Sequence, residues 1–175
     1  MQRSVNGLII ECVSGDITAQ PDCQVIVNAA NSQLAGGGGV DGAIHRAAGP
    51  QLKAASSALG PIAAGEAVIT AAFDLPNSHV IHCVGPVYSE SKPVADQLAA
   101  CYTRAMQLAA EAGARRVAFP AISCGVYGYP MDQASRIAIR AVANCAPERG
   151  TVELARFVLF SEQALAVFNA ALDGV

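Results

Sequence analysis

The chain has 175 residues, of which 53% are hydrophobic and 14% charged. That length suits one domain, spanning 1–175, with a full core, and the composition excludes disorder, collagen and coiled coil. The net charge is −3 and Lys and Arg form no block, which disfavours nucleic acid bound by neutralising its backbone. Polar residues or Gly interrupt every apolar stretch, so no run is long enough to span a bilayer. The polar start Met1–Asn6 runs into a short apolar segment without a signal-type cleavage site, and the expectation is a soluble cytoplasmic protein.

In chain order, Gly7–Val13 reads as a strand, and Cys23–Asn28 as a second, apolar enough to be buried on both faces. A helix starts near Val40 and runs through Ala48. Strands at Gly65–Ala71 and Val80–Val84 follow, then a helix over Pro93–Ala112 that stops at Gly113. Arg116–Phe119 is a strand, Met131–Cys145 a helix, Val152–Phe160 a strand, and Glu162–Leu172 a last helix capped by Ser161. Strands that alternate with helices predict an α/β fold, with a largely parallel or mixed sheet covered on both faces. Ligands in such folds bind beyond the carboxyl ends of the strands. The six cysteines (Cys12, Cys23, Cys83, Cys101, Cys124, Cys145) show no C-x-x-C spacing and sit among aliphatic residues. They read as reduced structural thiols rather than disulfides or zinc ligands.

Two glycine-bearing loops leave strands and enter helices: Asn28–His45, with four consecutive glycines at Gly36–Gly39, and Pro120–Pro130. Four glycines in a row carry a large entropy cost. One reason for them is bare backbone whose N–H groups can approach an anion, next to the positive end of a helix. A plain flexible turn is the competing reading for either loop alone. Gly37–Gly42 matches G-x-G-x-x-G, but its distance from the strand is too long for a dinucleotide-binding turn, and no Walker loop is present. Asp41 inside the first loop would repel an anion. It makes sense acting on a neighbouring hydroxyl or water, or else as a helix N-terminal residue favoured by the dipole. Asp16, by itself, reads as readily as a turn or cap residue as it does as a contact residue at a strand end.

Gly15-Asp16-Ile17-Thr18, Asn28-Ala29-Ala30-Asn31, Gly36–Gly49 and Pro120–Tyr129 together resemble the macro domain family, more narrowly its MacroD-type bacterial branch. The resemblance implies a three-layer α/β/α sandwich around a mixed, mostly parallel sheet. It implies a cleft for ADP-ribose or O-acetyl-ADP-ribose, and either O-acetyl-ADP-ribose deacetylation or hydrolysis of ADP-ribose from modified acidic side chains of proteins. By the same likeness Asp16 accepts from the adenine amino group with Ile17 beside it. Gly38, Gly39 and Val40 form one diphosphate loop, and Ser123, Cys124, Gly125, Val126 and Tyr127 the other, with Tyr127 against the distal ribose. Asn31 and Asp41 are the implied catalytic pair, Asn31 orienting a hydroxyl or water and Asp41 acting as general base. No cofactor or metal is expected, and the three histidines match no metal-ligand spacing. Cys124 as a nucleophile is disfavoured, since no histidine pairs with it in the sequence. His45 reads as packed or exposed, and His82 as a hydrogen-bonded core residue. Two other functions stay open: a reader that binds ADP-ribose without turnover, and a regulatory partner of a nuclease such as ribonuclease III.

Overall fold

The computed structural model describes all residues, Met1–Val175. Seven strands form one sheet: β1 (Gln2–Val5), β2 (Leu8–Ser14), β3 (Val25–Ala30), β4 (Ala67–Ala71), β5 (His79–Val84), β6 (Arg116–Phe119) and β7 (Leu154–Leu159). Five α-helices surround it: α1 (Gly39–Ala48), α2 (Gln51–Ser57), α3 (Ala95–Glu111), α4 (Met131–Asn144) and α5 (Glu162–Asp173). The strand order is β1-β2-β7-β6-β3-β5-β4. The five inner strands run parallel, while β1 and β4 close the two edges antiparallel.

Alternation along the strands divides the core between two faces. Val25 and Val27 of β3, Val117 and Phe119 of β6 and Phe157 of β7 join the larger cluster, of 35 buried residues, with α3, α4 and α5. Ile26, Ala118 and Val158 turn the other way, into a cluster of 11 under α1 and α2. The result is the expected three-layer α/β/α sandwich on a mixed, mostly parallel sheet. Stacking of Phe119 on Phe157, with ring centroids 5.4 Å apart, fills the centre of the larger side.

The expected strands and the four expected helices are present, with ends displaced by a few residues. Two elements went unpredicted. β1 pairs with β2 across the two-residue turn Asn6-Gly7, whose φ angles are +48° and +89°, the left-handed pair that a tight hairpin demands. α2 follows Pro50 and buries only Leu52 among its large side chains. Its Ser56 hydroxyl donates to the Leu34 carbonyl at 2.6 Å. That leaves little apolar periodicity to read.

The long connection from β2 to β3 is tied down chiefly by Arg156, with Arg116 a second cation 3.5 Å from Asp22. Arg156 on β7 donates to Glu11 at 2.8 Å, to Asp22 at 2.8 Å and to Gln20 at 2.9 Å. The Arg156 hydrogen bond holds the Asp22 carboxyl below its ordinary value. A depressed folded-state pKa contributes stability above the unfolded value, and that contribution is lost as pH falls through the folded one. Arg156→Ala is therefore expected to destabilise the protein by about 2 kcal/mol at neutral pH. The deficit should shrink below about pH 4, where the acids of the unfolded chain protonate. Thermal melts of both proteins from pH 7 to pH 3 check this (about 4 and below being the decisive range).

Candidate functional site

All five parallel strands end on one edge of the sheet, and β3 and β6 are neighbours there. The two glycine loops leave these adjacent strands and border one cavity of about 680 Å³, a volume suited to a nucleotide-sized ligand. Asn31, Gly38, Gly39, Val40 and Asp41 line it from the first loop, and Ser123, Cys124, Gly125, Val126 and Tyr127 from the second. Asp16 and Ile17 are not among the lining residues. Ile17 is buried in the smaller core cluster. Asp16 is exposed just beyond Ser14, which is paired with Leu159 at the cavity's far end. One Asp16 oxygen accepts from the backbone N–H and hydroxyl of Thr18 at 2.9 and 2.7 Å, and the other has no protein donor.

The chemistry of the cavity starts with backbone. α1 begins at Gly39, and its N-cap Gly38 supplies no side-chain cap. The N–H groups of Gly38, Gly39, Val40 and Asp41 have no acceptor within the protein, nor do those of Ser123, Gly125, Val126 and Tyr127. The first set coincides with the positive end of α1, and Met131, the first residue of α4, also borders the cavity. Two groups of unpaired donors beside helix starts make an anion-binding surface.

The approach of these loops is set by glycines. A Cβ on Gly42 would sit 2.5 Å from the Gly37 carbonyl oxygen. A Cβ on Gly85 would collide with Ser123 and Ile122. Ser123 itself holds a φ of +67°, a strained conformation for a residue with a side chain. Its hydroxyl is anchored by donation to the Pro86 carbonyl at 2.7 Å.

At one end of the cavity lies the only buried acid of the chain, Asp41, with its side chain 7% exposed. Its Oδ1 accepts from Asn28 Nδ2 at 2.8 Å, and His45 Nε2 lies 3.2 Å from the same oxygen. Oδ2 has no partner. A Cβ built on Gly37 would lie 3.2 Å from Asp41 Oδ2 and 3.5 Å from Asn31 Nδ2, so both groups converge beside Gly37. Asn31 Nδ2 donates to the Gly36 carbonyl at 2.9 Å, while its buried Oδ1 has no hydrogen-bond partner. A buried acceptor without a donor is costly.

His45, read from sequence as packed or exposed, thus belongs to this cluster. Its position four residues after Asp41 on one helix was the available signal. His82 is a core histidine as expected. Burial first, and then nearby His45, pushes it down to about 4. Cys124 borders the cavity, but burial pushes its thiol up to about 11. It donates to the Ile122 carbonyl at 3.6 Å, so it is no thiolate nucleophile. Phe160 was missed. It follows β7, is 68% exposed and lines the end of the cavity nearest Asp16. A large aromatic left in solvent at the carboxyl end of a strand was its signal.

The macro domain family model matches residues 27–138. A macro domain-containing protein of Streptomyces griseus is 48% identical over 170 residues, covering 94% of this chain and 94% of its own. The O-acetyl-ADP-ribose deacetylase of Klebsiella pneumoniae is 49% identical over 167 residues, covering 93% and 95%. Among solved structures, the Oceanobacillus iheyensis macrodomain with ADP superposes with a TM-score of 0.94 at 39% identity, over 99% of this chain and 95% of that one. On the motifs, the sandwich and these likenesses together, the chain belongs to the macro domain family.

Proposed function

We propose that this macro domain binds ADP-ribose in the cavity and hydrolyses an acyl ester on its distal ribose, as in O-acetyl-ADP-ribose, or the bond to a modified acidic side chain. The observation that carries the reading is the pairing of two sets of unpartnered N–H groups with one buried carboxylate at their end. The relative named an O-acetyl-ADP-ribose deacetylase and the neighbour solved with ADP support it.

In this reading the N–H groups of Gly38, Gly39 and Val40 face one side of the diphosphate, and those of Ser123, Gly125, Val126 and Tyr127 the other. The Tyr127 ring packs on the distal ribose. The adenine stacks on Phe160, and its amino group donates to the free oxygen of Asp16, with Ile17 holding the turn from below. The distal ribose then lies at Asn31, whose side-chain amide orients a ribose hydroxyl or the water. Asp41 Oδ2 takes a proton from a water as that water attacks the ester carbon. The acyl C–O bond breaks as Asp41 returns that proton to the departing ribose oxygen, and acetic acid, which loses its remaining proton to solvent as acetate, and ADP-ribose result. Positioning and charge carry the barrier, so no metal enters the scheme.

Two variants separate binding from turnover. Asp41→Ala is expected to release acetate from O-acetyl-ADP-ribose at least about 100-fold more slowly. ADP-ribose affinity by calorimetry should stay within about tenfold of wild type, since the backbone donors remain. Wild-type turnover in Asp41→Ala overturns the role of the carboxylate. Tight binding by the wild-type protein with no hydrolysis makes it a reader. Phe160→Ala is expected to weaken ADP-ribose about tenfold, the loss of one base–aromatic stack, while leaving kcat unchanged. An unchanged Kd removes Phe160 from the adenine site.

A further inference from the structure

Beneath Asp41 a row of buried polar side chains crosses three strands. Asn28 on β3 is directly paired with His82 on β5, and Thr70 lies on β4 beyond it. All three alternate onto the face covered by α1, and all are buried. Asn28 Nδ2 lies 2.8 Å from Asp41 Oδ1 and 3.2 Å from His82 Nδ1. His82 Nε2 lies 3.0 Å from Thr70 Oγ1, which donates to the Ala71 carbonyl at 2.9 Å.

Hydrogen bookkeeping leaves one consistent assignment. The two hydrogens of Asn28 Nδ2 go to Asp41 and to His82 Nδ1, so Nδ1 carries a lone pair. The ring proton is then on Nε2 and goes to Thr70, whose own hydrogen is committed to the Ala71 carbonyl. Asn28 Oδ1 is left buried without a partner. Flipping the amide would bring that oxygen against the Asp41 carboxylate and forfeit the hydrogen bond to it. The carboxylate, which can only accept, therefore fixes the amide with its NH2 toward Asp41 and His82. His82 stays neutral because burial disfavours the imidazolium, with the His45 ring 6.4 Å away adding to the penalty.

Resting on the hydrolase reading above, we propose that His82 and Thr70 are positioning residues: a neutral His82, fixed as its Nε2–H tautomer by the Thr70 hydroxyl, points the Asn28 amide at Asp41 Oδ1 and so keeps Oδ2 turned toward the substrate. Neither residue lines the cavity, so they act through Asn28 alone. A residue serving only to fill the core would affect melting temperature without altering the ring tautomer or the split between kcat and KM.

Thr70→Val removes the hydroxyl and keeps the branched shape, and Thr70→Ser restores it. With O-acetyl-ADP-ribose as substrate, Thr70→Val is expected to lower kcat about tenfold, with KM and the calorimetric Kd for ADP-ribose within about twofold, because no binding group is touched. Thr70→Ser should recover most of the loss. Nitrogen NMR of the His82 ring should show protonated Nε2 and unprotonated Nδ1 in the wild-type protein, and mixed tautomers in Thr70→Val. Wild-type kcat in a folded Thr70→Val, or a wild-type ring protonated on Nδ1, overturns the proposal. The ring spectrum needs only wild-type protein, so it decides even where Thr70→Val does not fold. It also needs no turnover. A wild-type protein that binds but does not hydrolyse overturns the hydrolase reading and, with it, the role of this row in orienting a base, while a protonated Nε2 would still establish the row itself.

Discussion

Backbone N–H groups without partners are the constraint around which the molecule is built. Most backbone N–H groups are spent within secondary structure, whereas Gly38, Gly39, Gly125 and Val126 are exposed and keep theirs free. Here they are gathered at the carboxyl edge of the sheet, on two loops leaving adjacent parallel strands. To bring them together the chain accepts a positive φ at Ser123, a run of four glycines, and contacts at Gly42 and Gly85 that leave no room for a Cβ. Local strain that packing holds in place is the mark of a functional site. The sandwich supplies the holding: the larger core under α3, α4 and α5 fixes the second loop, and the smaller one under α1 and α2 fixes the first.

In the proposed function the cavity's donors and its one acid divide the work between them. Neutral N–H dipoles can hold an anion without a cationic side chain, and no Lys or Arg lines the cavity. Asp41 would oppose a phosphate placed next to it, but it stands at the end of the donor row. The Asn28 donor on Oδ1, with the His45 ring 3.2 Å from the same oxygen, lets the carboxylate be buried while Oδ2 stays free. This is how a charge can sit in a low-dielectric site and keep a working atom.

Much of this was legible in the residues. Apolar runs and helix stops placed the inner strands and the long helices, because buried parallel strands read as near-continuous apolar segments. The loops announced themselves through Gly36–Gly39 and Ser123–Tyr127. What escaped had weak or overlooked local signals. The Asn6-Gly7 turn was visible but bounded by a polar strand, and α2 has one large apolar residue. The partnership of Asn28, His82 and Thr70 could not be read locally, since it depends on the register between three strands far apart in sequence. Asp16 and Phe160 follow the ends of neighbouring strands only because β2 and β7 are paired.

The most direct test of the central claim is to titrate ADP-ribose into the isotopically labelled protein and follow its backbone amides by NMR. The account predicts large downfield proton shifts confined to Gly38–Asp41 and Ser123–Tyr127, the signature of N–H groups gaining a charged acceptor. Saturable binding that leaves those amides unmoved and shifts others would contradict it.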